Sequence, residues 1–267
     1  MKTNDRLIAN DDRPSGMKSR QAEILELVRE QGFVTIEALS RQFDVTPQTI
    51  RRDINSLSRS GQLHRYHGGA GISSSTENVA YSERKVICLK EKQKIARALA
   101  GLIPDQASLF INIGTTNEEV ARALVNHRRL RIITNNLNVA SILSRNKDFE
   151  VIVTGGLVRS RDQGIIGEAT IDFIRQFKVD YGIIGISGVD MDGTLLDFDY
   201  REVRVARAIM DNSRQVLLAA DHTKFGRNAM VRLGNVQEIT ALVTDRTPPA
   251  ALVEVLTAFE VELHVAR

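Results

Sequence analysis

Cysteine is nearly absent: the 267 residues contain one, Cys88. A single thiol cannot close a disulfide within the chain or build a cysteine-rich metal site. The expected setting is a reducing cytoplasm, with Cys88 a bystander. No apolar run reaches the roughly 20 residues that span a bilayer. Residues Met1 to Gly16 are polar, carry both charge signs and lack the apolar centre of a secretion signal, so they are expected to form a disordered tail (1–16). Met17 then stands as an alternative translation start. Metal-ligand spacing is missing too. His64, His67, His127, His222 and His264 include no pair four residues apart. No metal and no cofactor are expected. Net charge is small, +3, with a pI near 9.1. Such a balance permits nucleic-acid binding without demanding it, so the arrangement of charge decides.

What is present suffices for a real core: 42% hydrophobic and 26% charged residues. The length allows one large domain or two modest ones. From Ser19 to Glu30, Ile24, Leu25, Leu27 and Val28 fall at helical spacing. Thr35 can cap a second helix from Ile36 to about Phe43. Thr46 can cap a third, with Pro47 at its first position and Gly61 as its stop. Three helices in so short a stretch predict a compact bundle. In the third helix Ile50, Ile54 and Leu57 form a buried stripe at i, i+4 and i+7. The opposite face carries Gln48, Thr49, Arg51, Arg52 and Asn55. Arg can fork onto guanine, Gln or Asn onto adenine, and Thr can meet the thymine methyl. A helix-turn-helix inserts this end of its second helix into the major groove. The competing reading makes Arg51 and Arg52 a solvated surface paired with Asp53. After Gly61, two short extended pieces predict a wing in which Arg65, flanked by His64 and His67, meets the phosphate backbone.

Ala70 to Asn78 is small and polar, so a linker is placed at 73–81, between a DNA-binding domain at 17–72 and a larger domain at 82–267. Beyond it strands and helices alternate. The strand-like runs are Ser108–Ile113, Arg131–Thr134, Val151–Thr154, Tyr181–Ile186, Gln215–Ala220 and Ala241–Thr244. Asn117–Val125 and Tyr200–Asn212 are helical, as is one helix from about Ser82 to Leu102. The rhythm predicts an α/β fold with a mostly parallel sheet. Four strand ends run into small polar loops, at Gly114-Thr115-Thr116, Thr134-Asn135-Asn136, Gly155-Gly156 and Ser187-Gly188. Loops at the carboxyl edge of a parallel sheet are where ligands bind, and glycine, amides and hydroxyls at a helix start cradle an anion. Lys224 follows another strand and can supply positive charge. Spacing alone leads to a small phosphorylated or otherwise anionic ligand.

The strings VTPQTIRRDINSL and LHRYHGGA, between Ser40 and Gly69, resemble the DeoR-type winged helix-turn-helix. RSRDQGIIGEATIDF, LLDFDYREVR and DHTKFGRNAMV extend the resemblance to the DeoR effector domain, a relative of ribose-phosphate isomerases that has given up catalysis. The resemblance implies a repressor that binds double-stranded operator DNA and releases it on binding a phosphorylated sugar or polyol, here glycerol 3-phosphate. It implies DNA contacts at Thr46, Gln48, Thr49, Arg51, Arg52, Asn55, Arg65 and His67. It places Gly114, Thr115, Thr116, Asn135, Gly155, Gly156, Gly167, Glu168 and Lys224 around the effector. One helix-turn-helix contacts few base pairs, so a homo-oligomer joined through the sensor domain is expected, a tetramer by resemblance. No membrane partner is expected.

One motif points elsewhere. Asp190-Met191-Asp192-Gly193-Thr194 matches the opening of haloacid-dehalogenase-type phosphatases, in which one aspartate attacks phosphate beside magnesium. Only 77 residues follow Asp190, and no Gly-Asp-x-x-x-Asp motif occurs among them. The expected structure is a glycine turn. An active isomerase is the second rival, but no clear acid/base pair is placed for enolisation. No enzymatic activity is expected.

Overall fold

The computed structural model describes residues 16–31, 33–60, 62–66, 68–71 and 78–267. Residues 1–15 of the tail expected at 1–16, the stop at Gly61, His67 and most of the expected linker lie outside them, while Gly16, expected in that tail, begins a helix. The chain divides into two compact units, Met1–Ser73 and Ser74–Arg267.

The first unit contains α1 (Gly16–Gln31), β1 (Phe33–Thr35), α2 (Ile36–Gln42), α3 (Pro47–Arg59), β2 (His64–Tyr66) and β3 (Gly69–Gly71). Thr35 caps α2 by accepting from the Ala38 amide. Ile24, Val28, Leu39, Ile50, Ile54 and Leu57 close the core, each contributing about 1.5–3 kcal/mol by burial. The wing has a third strand that periodicity misses: β1 pairs antiparallel with β3, which pairs with β2. Three residues are too short to show alternation. Asp53 does not pair with Arg51 or Arg52. It turns inward, almost fully buried, and accepts from Arg20 Nε at 2.7 Å and Gln21 Nε2 at 3.0 Å. A buried carboxylate needs such partners.

The second unit begins with α4 (Tyr81–Val86) and α5 (Leu89–Ala100), then β4 (Ser108–Ile111), α6 (Thr115–Leu124), β5 (Arg131–Thr134), α7 (Leu137–Leu143) and β6 (Glu150–Val153). A hairpin of β7 (Leu157–Val158) and β8 (Ile165–Ile166) leads to α8 (Glu168–Ile174) and β9 (Val179–Gly185). A second hairpin, β10 (Gly188–Val189) and β11 (Thr194–Asp197), precedes α9 (Tyr200–Asp211), β12 (Ser213–Ala219), β13 (Val231–Asn235), β14 (Ala241–Thr244), α10 (Ala250–Ala258) and β15 (Glu262–Val265). Seven strands form one sheet in the order β15-β14-β12-β9-β4-β5-β6, every neighbouring pair parallel. Successive residues on a strand serve opposite faces. Leu109 and Ile111 join one core with Ile95, Val120 and Leu217, whereas Phe110 joins the other with Ile184, Val205 and Leu218.

The helix expected over Ser82–Leu102 is broken. Ile87 is extended and Cys88 adopts the left-handed conformation at φ 52°. Both are buried, so the break is set by packing that the helical period does not register. The Arg84 carbonyl, left by the interrupted helix, takes the ammonium of buried Lys92.

The phosphatase-like string forms the β10–β11 turn. Gly193 N donates to Asp190 O at 3.0 Å and Asp190 N to Thr194 O at 2.9 Å, with Gly193 at φ 83°. The expected glycine turn is an antiparallel hairpin, not the end of a parallel strand where that chemistry would require its first aspartate.

Candidate DNA-reading face and effector cavity

Thr46 starts α3 from extended backbone and its hydroxyl accepts from the Thr49 amide at 3.3 Å. Gln48, Arg51 and Arg52 are exposed, while Thr49 and Asn55 are half-buried. Gln48, Arg52 and Asn55 fall at i, i+4 and i+7, one face of the helix. The exposed Arg65 of β2 donates from Nη1 to Asn55 Oδ1 at 2.9 Å, which ties the wing to the reading helix. His67, also expected at this face, lies outside the described residues.

In the second unit, chain order sets the position of the cavity. From β4 the chain steps outward through β5 to β6, then returns to β9 and proceeds to β12, β14 and β15. The direction reverses between β4 and β9, and open α/β sheets bind ligands where it does. A small cavity of about 50 Å³ opens at the carboxyl ends of these strands. Its lining includes Asn112–Thr116 after β4, Gly185–Ser187 at the end of β9, and Ala219 and Lys224 around the end of β12. Tyr81 and Arg84 enter from α4, Asp162 from the β7–β8 loop, Asp197 from the end of β11 and Glu202 from the first turn of α9. Gly114 caps α6 at φ 134°, a conformation that needs glycine. Buried Asn117 fixes the loop, donating to the carbonyls of Asn112 at 3.0 Å and Ile113 at 3.1 Å. Gly114, Thr115 and Thr116 bring the start of α6 to the cavity, and the amides at a helix start favour an anion.

Opposite charges are interleaved around the cavity: Arg84 Nη2 lies 3.8 Å from Asp162 Oδ2, and Arg84 and Lys224 both act on Asp197. Burial pushes Lys224 down to about 8, although Asp221 opposes the shift. Burial alone would raise Asp221, but Lys224, Lys92 and the hydrogen bonds from Thr223 hold it below the usual carboxylate range. Burial raises Asp197, and burial together with Asp197 raises Glu202. Arg159 braces the acidic side, with Nη2 at 2.6 Å from Asp162 and Nη1 at 3.3 Å from Asp199 and bonded to Glu202. Tyr81 donates to buried Glu118 at 2.8 Å, and Asn138 Nδ2 donates to the Tyr81 hydroxyl at 3.0 Å, so α4 is anchored at the cavity mouth.

Of the residues expected around an effector, Gly114, Thr115, Thr116 and Lys224 line this cavity. Asn135, Gly155, Gly156, Gly167 and Glu168 do not. They follow β5, β6 and β8, on the side of β4 away from the reversal. Asn135 donates to Ile165 O at 3.1 Å. The Gly155 carbonyl accepts from Thr170 Oγ1 at 2.7 Å, and a Cβ on Gly156 would lie 2.2 Å from that hydroxyl. Gly167 caps α8, and the exposed Glu168 pairs with Arg204. Sequence reasoning missed Tyr81, Arg84, Asp162, Asp197 and Glu202. Asp162, Asp197 and Glu202 lay inside strings that carry the family resemblance; Tyr81 and Arg84 carried no signal.

Among the described residues, one group brings metal-ligating atoms together: Cys88, Asp221 and His222, all within 4.8 Å of one another. Lys92 and Lys224 act on the same Asp221, and His222 Nδ1 is 2.8 Å from Asp245. Two ammonium groups beside the cluster disfavour a cation. Among the described residues no helix is long and apolar enough to cross a membrane.

Comparison with known proteins gives two family matches: the DeoR-like helix-turn-helix domain over residues 20–76 and the DeoR C terminal sensor domain over residues 87–246. The chain is 53% identical to the glycerol-3-phosphate regulon repressor of Escherichia coli K12, over 92% of this chain and 98% of that protein. It is 52% identical to the repressor of the same name from Haemophilus influenzae, over 86% and 89%. It is 47% identical to the HTH-type transcriptional repressor CsqR of E. coli K12, over 91% and 94%. Among solved structures, ribose 5 phosphate isomerase A from Neisseria gonorrhoeae is similar at TM-score 0.37 and 14% identity, over 50% of this chain and 52% of that one.

Proposed function

The chain belongs to the DeoR family of transcriptional repressors, and we propose that it represses genes of glycerol and glycerol 3-phosphate metabolism and leaves its operator when glycerol 3-phosphate binds. The observation that carries this reading is the cavity at the chain reversal. It sets the start of α6, Lys224 and Arg84 around a space too small for a drug-sized ligand. A three-carbon phosphate ester suits that size and charge, and relatives sharing about half the sequence bear the name of the glycerol-3-phosphate regulon.

In this reading the residues up to 72 read DNA through Thr46, Gln48, Thr49, Arg51, Arg52, Asn55, Arg65 and His67, and residues 82–267 sense and assemble. The repressor works in the cytoplasm as a homo-oligomer, because repeated half-sites need more than one reading helix, and by resemblance to the family as a tetramer. The effector shifts the equilibrium only by binding the DNA-free state more tightly. A coupling of roughly 1–3 kcal/mol changes DNA affinity about 5- to 150-fold. The transmitter is the broken helix α4–α5. Its first turn carries Tyr81 and Arg84 into the cavity, and it is the first helix after the linker.

The test is a gel shift on the DNA upstream of the protein's own gene, titrated with glycerol 3-phosphate, glycerol and several sugar phosphates. Release by glycerol 3-phosphate alone is expected. Release by a different phosphate ester would assign the repressor to another pathway. Indifference to every phosphate would overturn the sensor reading and leave DNA binding standing. Sedimentation velocity measures the assembly state.

A further inference from the structure

Holding a phosphate explains the basic groups of the cavity but not its acidic ones. The lining also offers carboxylates, which would repel an anion rather than bind it. Three line the space: Asp162, Asp197 and Glu202. Asp162 is spent, because its Oδ1 accepts from Arg159 Nε at 3.2 Å and Gly164 N at 3.3 Å, and its Oδ2 from Arg159 Nη2 at 2.6 Å. The other two are half spent. Asp197 Oδ1 accepts from Ser187 Oγ at 2.9 Å and Phe198 N at 2.7 Å. Glu202 Oε1 accepts from Arg159 and from Arg161 Nη2 at 2.9 Å. Among the described residues, Asp197 Oδ2 and Glu202 Oε2 make no hydrogen bond. Each carboxylate is thus fixed in orientation by one oxygen and keeps the other free to accept.

A carboxylate oxygen accepts a hydrogen bond from a hydroxyl and disfavours a second negative charge. We propose that Asp197 and Glu202 form a hydroxyl-reading subsite, so that the cavity selects a phosphate monoester bearing hydroxyls on neighbouring carbons over an alkyl phosphate or a phosphorylated acid. This rests on the reading of the cavity as the effector site and adds its specificity residues. The phosphate lies toward Lys224, Arg84 and the start of α6, and the hydroxyls donate to Asp197 and Glu202. A ligand without them leaves Asp197 Oδ2 and Glu202 Oε2 without that hydrogen bond, and sites that bind a hydroxyl reject the analogue lacking it for that reason.

The experiment is calorimetric titration of the full chain with glycerol 3-phosphate, n-propyl phosphate and 3-phosphoglycerate. Wild type should bind glycerol 3-phosphate about 100-fold or more tightly than propyl phosphate, as expected for two hydrogen bonds to charged acceptors. It should bind 3-phosphoglycerate no better than propyl phosphate. Asp197→Asn and Glu202→Gln should each cut the preference to about tenfold, with propyl phosphate affinity unchanged. Wild type binding glycerol 3-phosphate and propyl phosphate alike would overturn the subsite while leaving the effector reading intact. Variants that weaken both esters equally would also overturn it. Wild type binding none of the three would overturn both. Should either variant fail to fold, the wild-type comparison of esters decides alone.

Discussion

The first unit presents its candidate contacts on one helix within ten residues, from Thr46 to Asn55, with Arg65 reaching over from the wing. The second unit gathers its cavity from segments that begin at Tyr81 and end at Lys224. The difference follows from what each must recognise. A DNA groove is large and accepts a protruding helix, so exposed side chains on a well-packed scaffold suffice. A small anion must be surrounded, which draws polar groups from several strand ends and leaves them partly desolvated. Lys224 is pushed down and Asp197 and Glu202 are pushed up by that burial.

The sharpest way to break this contrast is to remove the reading face alone. Replacing both Arg51 and Arg52 with alanine should weaken operator binding by about 30-fold or more, since each base contact contributes about 1–3 kcal/mol. Effector affinity by calorimetry should not move; a parallel loss would show that the two functions are not separable. The reciprocal change, Lys224→Met, should cost about 1.5–3 kcal/mol of effector affinity, the worth of a charged hydrogen bond. Operator affinity without effector should stay as in wild type, so the variant should repress and resist induction in a gel shift.

A third test uses pH. With its pKa near 8, Lys224 is charged below pH 8 and neutral above it, and only the charged form attracts a phosphate. Effector affinity should hold up to about pH 8 and then fall by about tenfold per pH unit. Binding near pH 8 should take up a proton, measurable as a buffer-dependent binding enthalpy. For stability the sign is opposite. The folded pKa lies below the ordinary 10.5, so the unfolded chain holds more protons between these values. This group therefore makes the ligand-free unit more stable as pH rises from about 8 to 10.5. Lys224→Met should remove both trends. The smallest effect is at the helix start. Thr46→Ala should cost about 1 kcal/mol of stability in the first unit through the lost cap, read as a lower midpoint in urea, with the second unit's transition unchanged.

Legibility differed along the same line. The helices of the first unit and the parallel strands of the second are written locally, because capping residues and apolar periods act over a few residues. So were the loops after β4 and β12, whose glycine, threonine and lysine types announce an anion. The strand β15, with exposed Glu262 and half-buried Leu263 and His264, carried too little apolar pattern to be expected. The break at Cys88 was hidden because the apolar period runs straight through it.

Sequence by itself determined the two-part plan, the reading helix with its buried Ile50-Ile54-Leu57 stripe, and the presence of one cysteine that can form no disulfide within the chain. These follow from composition and from periods that neighbouring residues impose on each other. Only the tertiary structure decided which polar loops share a cavity. All seven strands of the parallel sheet end at the same edge, but the chain reverses between β4 and β9. Loops beside the reversal meet around a space, while those after β5 and β6 pack onto their own hairpin and helix. That order brings Asp197, Glu202 and Lys224 to one cavity, and no local pattern encodes it.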